Sequence, residues 1–238
     1  MENAETGYSV RLSKSISVIC SAVRDFSANL RHRLVLPSGI FSSSNVTFCM
    51  DVEVDNNREQ ISEVRVTITA EEINSLPLRT FNGKTHVISN PDQLGKIVQE
   101  IEGHKVVGFD TETRPSFKKG QVYQVSLLQL AIPGKVYLIR LNHTGMTEEI
   151  AALFSNANII KTGVGIRDDL KALQKLRSFE PAACHDLSLL AKQAGLQVES
   201  VKKLTALLLG FRISKSAQTS NWETPTFTQK QIEYAATD

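Results

Sequence analysis

The sequence predicts an α/β domain built on a mixed sheet, and three observations predict it. Residues 158–238 alternate an apolar strand candidate with amphipathic helix candidates. Before them, strand candidates follow one another at Val106–Thr111, Val122–Ile132 and Lys135–Leu141, with Pro133-Gly134 as a tight hairpin signal between the last two. A chain of 238 residues with 41% hydrophobic residues can bury a sizeable core and forms one large domain or two small ones.

Residues 1–70 read differently from the rest. They are rich in serine, and between Tyr8 and Cys49 they carry one acid, Asp25, against five Arg and Lys. That bias resembles an organellar transit peptide, but Glu2 and Glu5 oppose it. A poorly ordered or atypical extension, or sequence upstream of a start at Met50, is the plainer reading. Val64, Val66 and Ile68 then alternate like a strand edge. Lys84–Ser89 is a short strand candidate. Asn90 caps the next helix, with Pro91 at its first position, Gln93 at the reach-back position and a stripe of Leu94, Ile97, Val98 and Ile101, ending at Gly103. Thr147 caps a helix containing Ile150, Leu153 and Phe154, and Asn158–Val164 is a further strand. Helices follow near Ile166–Arg177, Leu187–Gln193 and Ser200–Leu209, and from Thr228 onward.

Composition excludes several function classes. The longest apolar runs fall far short of the roughly 20 residues a membrane span needs, so no membrane partner is expected. Cys20, Cys49 and Cys184 are dispersed and odd in number, which argues against a disulfide framework and for an intracellular, most simply cytoplasmic, location. Organellar or nuclear location stays open. No Cys/His spacing suits structural zinc. Residues 1–75 carry 7 Lys and Arg against 10 Asp and Glu, whereas residues 76–238 carry 20 against 15. The basic excess of the second region leans toward a polyanionic partner.

The most informative segment is Val106-Val107-Gly108-Phe109-Asp110-Thr111-Glu112-Thr113, an apolar strand ending in Asp-x-Glu. Side chains alternate along a strand, so Asp110 and Glu112 point the same way. Two adjacent carboxylates repel unless a cation sits between them, and hard oxygen ligands suit Mg²⁺ or Mn²⁺. Taken alone, the pair fits a strand running into an acidic turn equally well. In Gly163-Val164-Gly165-Ile166-Arg167-Asp168-Asp169-Leu170, helical spacing puts Asp169 on the stripe of Leu170, Leu173 and Leu176 and Asp168 on the opposite side. A carboxylate on a buried face needs a partner. In the last segment, Thr228 and Gln231 fit a capping box, and Tyr234 and Asp238 share a helix face as i and i+4. A tyrosine hydroxyl one turn from a carboxylate can position a water, although such a pair in isolation is an ordinary helix face.

In order, these segments resemble the DEDD superfamily of 3′→5′ exonucleases, in its tyrosine-bearing branch, and most of all the ribonuclease D and Werner-syndrome exonuclease group. The resemblance covers residues 75–238, taken as a truncated exonuclease domain. Further support comes from Ser126-Leu127-Leu128-Gln129-Leu130-Ala131, Gly163-Val164-Gly165, Ser220-Asn221-Trp222 and Tyr234-Ala235-Ala236-Thr237-Asp238. The histidine branch wants His five positions before the last Asp, and position 233 is Glu.

The resemblance implies a ribonuclease H-like fold, a mixed five-stranded sheet flanked by helices. It implies metal-dependent hydrolysis of terminal phosphodiester bonds, releasing nucleoside monophosphates from DNA or RNA with a free 3′ end. Two divalent cations, Mg²⁺ or Mn²⁺, would clamp the attacking and leaving oxygens. Asp110 would bridge both, Glu112 and Asp238 would complete one site, and Asp169 would hold the second cation. Tyr234 would orient the attacking water. Thr111, Arg114, Lys118, Lys119, Arg212 and Lys215 are candidate nucleic-acid contacts, and Phe117 is a loop aromatic that either stacks on a terminal base or packs on the core. Trp222 reads as a packing residue.

Cys184-His185-Asp186 has triad letters, but adjacent residues cannot take up triad geometry, and Asp186 is better read as a helix cap. Two other readings compete: a catalytically impaired nucleic-acid-binding module, and a ribonuclease H-like endonuclease.

Overall fold

The computed structural model of the protein describes residues 66–118 and 120–238. The extension expected over residues 1–70 therefore falls, up to residue 65, outside the described residues. So does the first part of the strand edge expected at Val64–Ile68, and its described part, Val66–Ile68, is not a strand. Ile68 is buried instead among Ile73, Ala191, Val198 and Leu204, and the Val66 carbonyl accepts the Gln197 N–H at 2.7 Å. Ile68 thus serves packing rather than strand pairing.

The first helix, α1 (Ala70–Ser75), opens with a capping box between Thr69 and Glu72. β1 (Lys84–Ile88) follows, then a single 3-10 turn (Pro91–Gln93) and α2 (Leu94–Glu102). Asn90 caps the turn through the Asp92 N–H, so the helix proper starts three residues later than expected. β2 (Val106–Thr113), β3 (Val125–Ile132) and β4 (Lys135–Arg140) form the meander. Then come α3 (Leu141–Thr144), α4 (Glu148–Ser155), β5 (Ile160–Gly163), α5 (Arg167–Leu176), β6 (Cys184–Asp186), α6 (Leu187–Gln193), α7 (Val201–Leu209) and α8 (Gln229–Thr237).

The sheet has six strands, in the order β1-β4-β3-β2-β5-β6, where five were expected. The extra strand is β6, whose Cys184, His185 and Asp186 pair in parallel with Lys161, Thr162 and Gly163. Three residues are too few to show a period, so nothing in the sequence marks it. β1 and β4 run parallel, β4, β3 and β2 antiparallel, and β2 and β5 parallel. The sheet is therefore mixed, as the meander followed by crossover helices requires.

Val107 and Phe109 enter the larger core, with Leu128 and Leu130 of β3, Ile97 and Ile101 of α2, Phe154 of α4 and Leu173 of α5. The strand period then sends Gly108, Asp110 and Glu112 to the other face. That face is covered by α8, where Leu127, Val136 and Leu138 pack with Trp222, Phe227, Tyr234, Ala235 and Ala236. Trp222 is fully buried, edge-on to Phe227 and 5.8 Å from Tyr234, so it is a packing residue.

Candidate active site

The ends of β2 and α8 bring the acids together. Asp110, Glu112 and Asp238 offer carboxylate oxygens that lie within 4.8 Å of one another, the group of that kind found among the described residues. Strand alternation fixes the first two on one face, and the register pairs Asp110 with Gln129 and Glu112 with Leu127. α8 is anchored at both ends. Thr228 and Gln231 form the expected capping box, and Thr237 Oγ1 accepts the Phe81 N–H at 3.0 Å. The segment before it is fixed by buried Arg140, whose guanidinium donates to the Thr224 and Pro225 carbonyls and stacks on Phe227.

The electrostatics follow from that crowding. Burial first, then the Asp238 and Asp169 charges, push the Asp110 carboxyl up to about 7. Burial first, then Asp110, push Glu112 up to about 8. The Tyr234 hydroxyl donates to Asp238 Oδ2 at 2.5 Å. Burial and that bond raise the phenol well above its ordinary range, so it stays protonated. Lys215 Nζ donates to both oxygens of Asp238, at 2.6 Å to Oδ2, and lies 5.6 Å from the centre of the Tyr234 ring.

The other candidates fall out as follows. Asp169 is not in the three-carboxylate group. It is half-buried, as its place on the apolar stripe required, and its partner is the Thr111 hydroxyl. Thr111 also gives its N–H to Asp110 Oδ1 at 2.9 Å, so this residue, expected to touch nucleic acid, links the two aspartates. Asp168 is exposed and pairs with Lys171. Arg114 forms an ion pair with Glu223 at 3.1 Å and sits over the Tyr123 ring. Arg212 gives its Nε to the Leu76 carbonyl, beside the bridge between Leu78 and its own backbone. Lys118 is exposed, and Lys119 lies outside the described residues. Phe117 is 86% exposed, so the packed alternative for this aromatic does not hold.

Two residues were not singled out by sequence reasoning for this site. Gln129 stands opposite Asp110 with both amide atoms buried and without a hydrogen-bond partner, at the edge of a cavity of about 220 Å³ that Asp110 and Asp238 also line. Its segment reads as a continuous buried strand, and only the register reveals its neighbour. Asp186 was legible as a cap, but its reach to the Asp169 segment was not.

The donor set is all carboxylate. Three such groups within 4.8 Å of one another, two with raised proton affinity, form a set that a hard divalent cation would discharge, and their chemistry fits Mg²⁺ or Mn²⁺.

A family model described as 3'-5' exonuclease matches residues 85–238. The chain is 31% identical over 169 residues to the exonuclease mut-7 homolog of Homo sapiens, covering 58% of this chain and 19% of that protein. It is 32% identical over 148 residues to the bifunctional 3'-5' exonuclease/ATP-dependent helicase WRN of Mus musculus, covering 60% of this chain and 11% of that protein. The chain thus spans about a fifth or less of these relatives' length. The crystal structure of the Aedes aegypti Nibbler EXO domain matches with a TM-score of 0.59 at 25% identity, covering 66% of this chain and 84% of that one. The matched stretch holds both the Asp-x-Glu strand and the helix with the Tyr234–Asp238 pair, and the chain belongs to the 3'-5' exonuclease family.

Proposed function

We propose that residues 75–238 form a metal-dependent 3′→5′ exonuclease domain that releases nucleoside monophosphates from a nucleic acid with a free 3′ end. The observation that carries this reading is the convergence of Asp110, Glu112 and Asp238 with the Tyr234 hydroxyl bonded to Asp238. Asp110, Glu112 and Asp238 would hold one divalent cation, and Asp110 with Asp169 a second. Cations so held would supply Lewis-acid stabilisation of the phosphodiester oxygens and would lower the pKa of bound water. Tyr234 orients the attacking water as a hydrogen-bonding phenol, not as a base. The water oxygen forms the new bond to the terminal phosphorus, the bond from phosphorus to the 3′-oxygen breaks, and that oxygen leaves on the shortened strand with a proton.

Lys215, now bonded to Asp238, would turn to a phosphate beside it, and exposed Arg114, Lys118 and Phe117 of the β2–β3 loop would meet the approaching strand. An intracellular site of action fits the dispersed cysteines. No described helix is long and apolar enough to cross a membrane.

The test is Mn²⁺-dependent digestion of a 5′-labelled single strand, with Asp110→Ala and EDTA as controls. A descending ladder, lost in both controls, is the expected result. Cleavage of a circular single strand would replace this reading with an endonuclease. Binding without nucleotide release in Mg²⁺ or Mn²⁺ would replace it with a binding module.

A further inference from the structure

Asp186 does more than cap a helix. A capping carboxylate needs one oxygen and one backbone N–H of the first turn. Here Oδ1 accepts from the Ser188 N–H at 2.9 Å, the Ser188 hydroxyl at 2.6 Å and the Gly165 N–H at 3.1 Å. Oδ2 accepts from the Ile166 N–H at 3.1 Å. The carboxylate at the end of β6 therefore ties the start of α6 to the loop between β5 and α5. Burial opposes its charge, yet the bonds from Ser188, Gly165 and Leu189 outweigh burial and hold the carboxyl below its ordinary range.

The loop it holds has little freedom. A Cβ at Gly163 would lie 2.4 Å from the Phe109 carbonyl oxygen and 2.7 Å from Ile166 Cγ2. Phe109 immediately precedes Asp110, so the end of β5, from which the loop departs, is seated against the acid-bearing strand. Gly165 has φ +74°, a conformation that glycine adopts freely. Ile166 is buried and stands at the N-cap of α5, in whose first turn Asp169 lies. Asp169 is thus held from two sides: by the Thr111 hydroxyl on β2, and by Asp186 through the origin of its own helix.

We propose that Asp186 is a positioning residue of this centre: by fixing the origin of α5 it sets Asp169 against Asp110, and so the affinity of the cation this pair would hold. The inference rests on the exonuclease reading above. Partners one shell out from a ligand govern metal affinity or activity by about 10–100-fold. A carboxylate one turn from the helix origin moves with that origin, so a small slip of the loop misplaces it.

The test uses the full chain with Asp186→Asn, Asp186→Ala and Ser188→Ala. Asparagine is a good cap and keeps one acceptor oxygen, but its NH₂ cannot accept the Ile166 N–H that Oδ2 now takes. Ser188→Ala removes the 2.6 Å bond and leaves both loop bonds in place. Mn²⁺ binding is followed by the paramagnetic resonance signal of the free ion, alongside melting temperature and hydrolysis. In Asp186→Asn the weaker Mn²⁺ equivalent should lose about ten-fold in affinity. Half-saturation of hydrolysis by Mn²⁺ should rise by the same factor, with the oligonucleotide KM unchanged at saturating Mn²⁺. Ser188→Ala should lower the melting temperature without moving Mn²⁺ affinity. Wild-type Mn²⁺ affinity in Asp186→Asn, whatever its melting temperature, would overturn the proposal and leave Asp186 a cap. If Asp186→Ala fails to fold, Asp186→Asn decides. If the wild type hydrolyses nothing, the exonuclease reading falls, and the binding titration, which needs no turnover, still shows whether Asp186 positions the cation site.

Discussion

Asp110→Asn should make the cation-free protein more stable, increasingly so as pH rises from about 4 through about 7. Asp110 is pushed from 3.8 to about 7, by burial foremost and then by the Asp238 and Asp169 charges. A carboxyl that holds its proton more tightly folded than unfolded favours folding while protonated. That contribution is lost as pH rises from the unfolded value near 4 through the folded value. Each unit is worth about 1.4 kcal/mol, so a rise of about three units sets a ceiling of about 4 kcal/mol. Asp110 and Glu112 are coupled, and Glu112 stays buried in the variant, so about 2 kcal/mol is expected. Asparagine keeps the acceptor that Thr111 N–H now uses at 2.9 Å. Thermal melts in EDTA should show a gain of roughly 4–8 °C near pH 8.5 and less than half of that near pH 5. Saturating Mn²⁺ should reverse the order, because only the wild type gains full binding energy. A variant no more stable than wild type near pH 8.5, or equally stabilised at both pH values, would refute the claim that burial and the neighbouring charges disfavour the Asp110 carboxylate.

Three further substitutions probe the frame. Tyr234→Phe keeps the ring against Trp222 and loses the bond to Asp238. Steady-state kinetics should show kcat down about 10²-fold with KM nearly unchanged, and an unaltered kcat would remove Tyr234 from the reaction. Gly163→Ala forces a Cβ against the Phe109 carbonyl oxygen and Ile166. It should cost about 1–3 kcal/mol in urea unfolding, with Mn²⁺ affinity falling as well, whereas wild-type stability would mean the loop yields freely. Trp222→Ala empties the fully buried centre under α8. A loss of about 3–5 kcal/mol is expected, and a loss below about 1 kcal/mol would show that α8 does not depend on this packing.

What the sequence determined by itself was everything governed by local period and capping. The period of two put Asp110 and Glu112 on one face, and the period of 3.6 separated half-buried Asp169 from exposed Asp168. The capping box at Thr228 and Gln231 and the i, i+4 pairing of Tyr234 with Asp238 were readable for the same reason. What only the tertiary structure decided was which distant groups meet. Strand β6 exists because β5 offers it an edge, not because three residues carry a pattern. The side chains of Thr111, Lys215 and Asp186 were legible as a contact, a contact and a cap. Their partners are Asp169, Asp238 and the loop before α5, which lie 58, 23 and about 20 residues away. Gln129 faces Asp110 only because β3 pairs with β2 in that register. Periodicity reports which face of its own element a residue occupies, whereas a hydrogen bond or an ion pair depends on how two elements dock, and docking is set by the packing of the whole core.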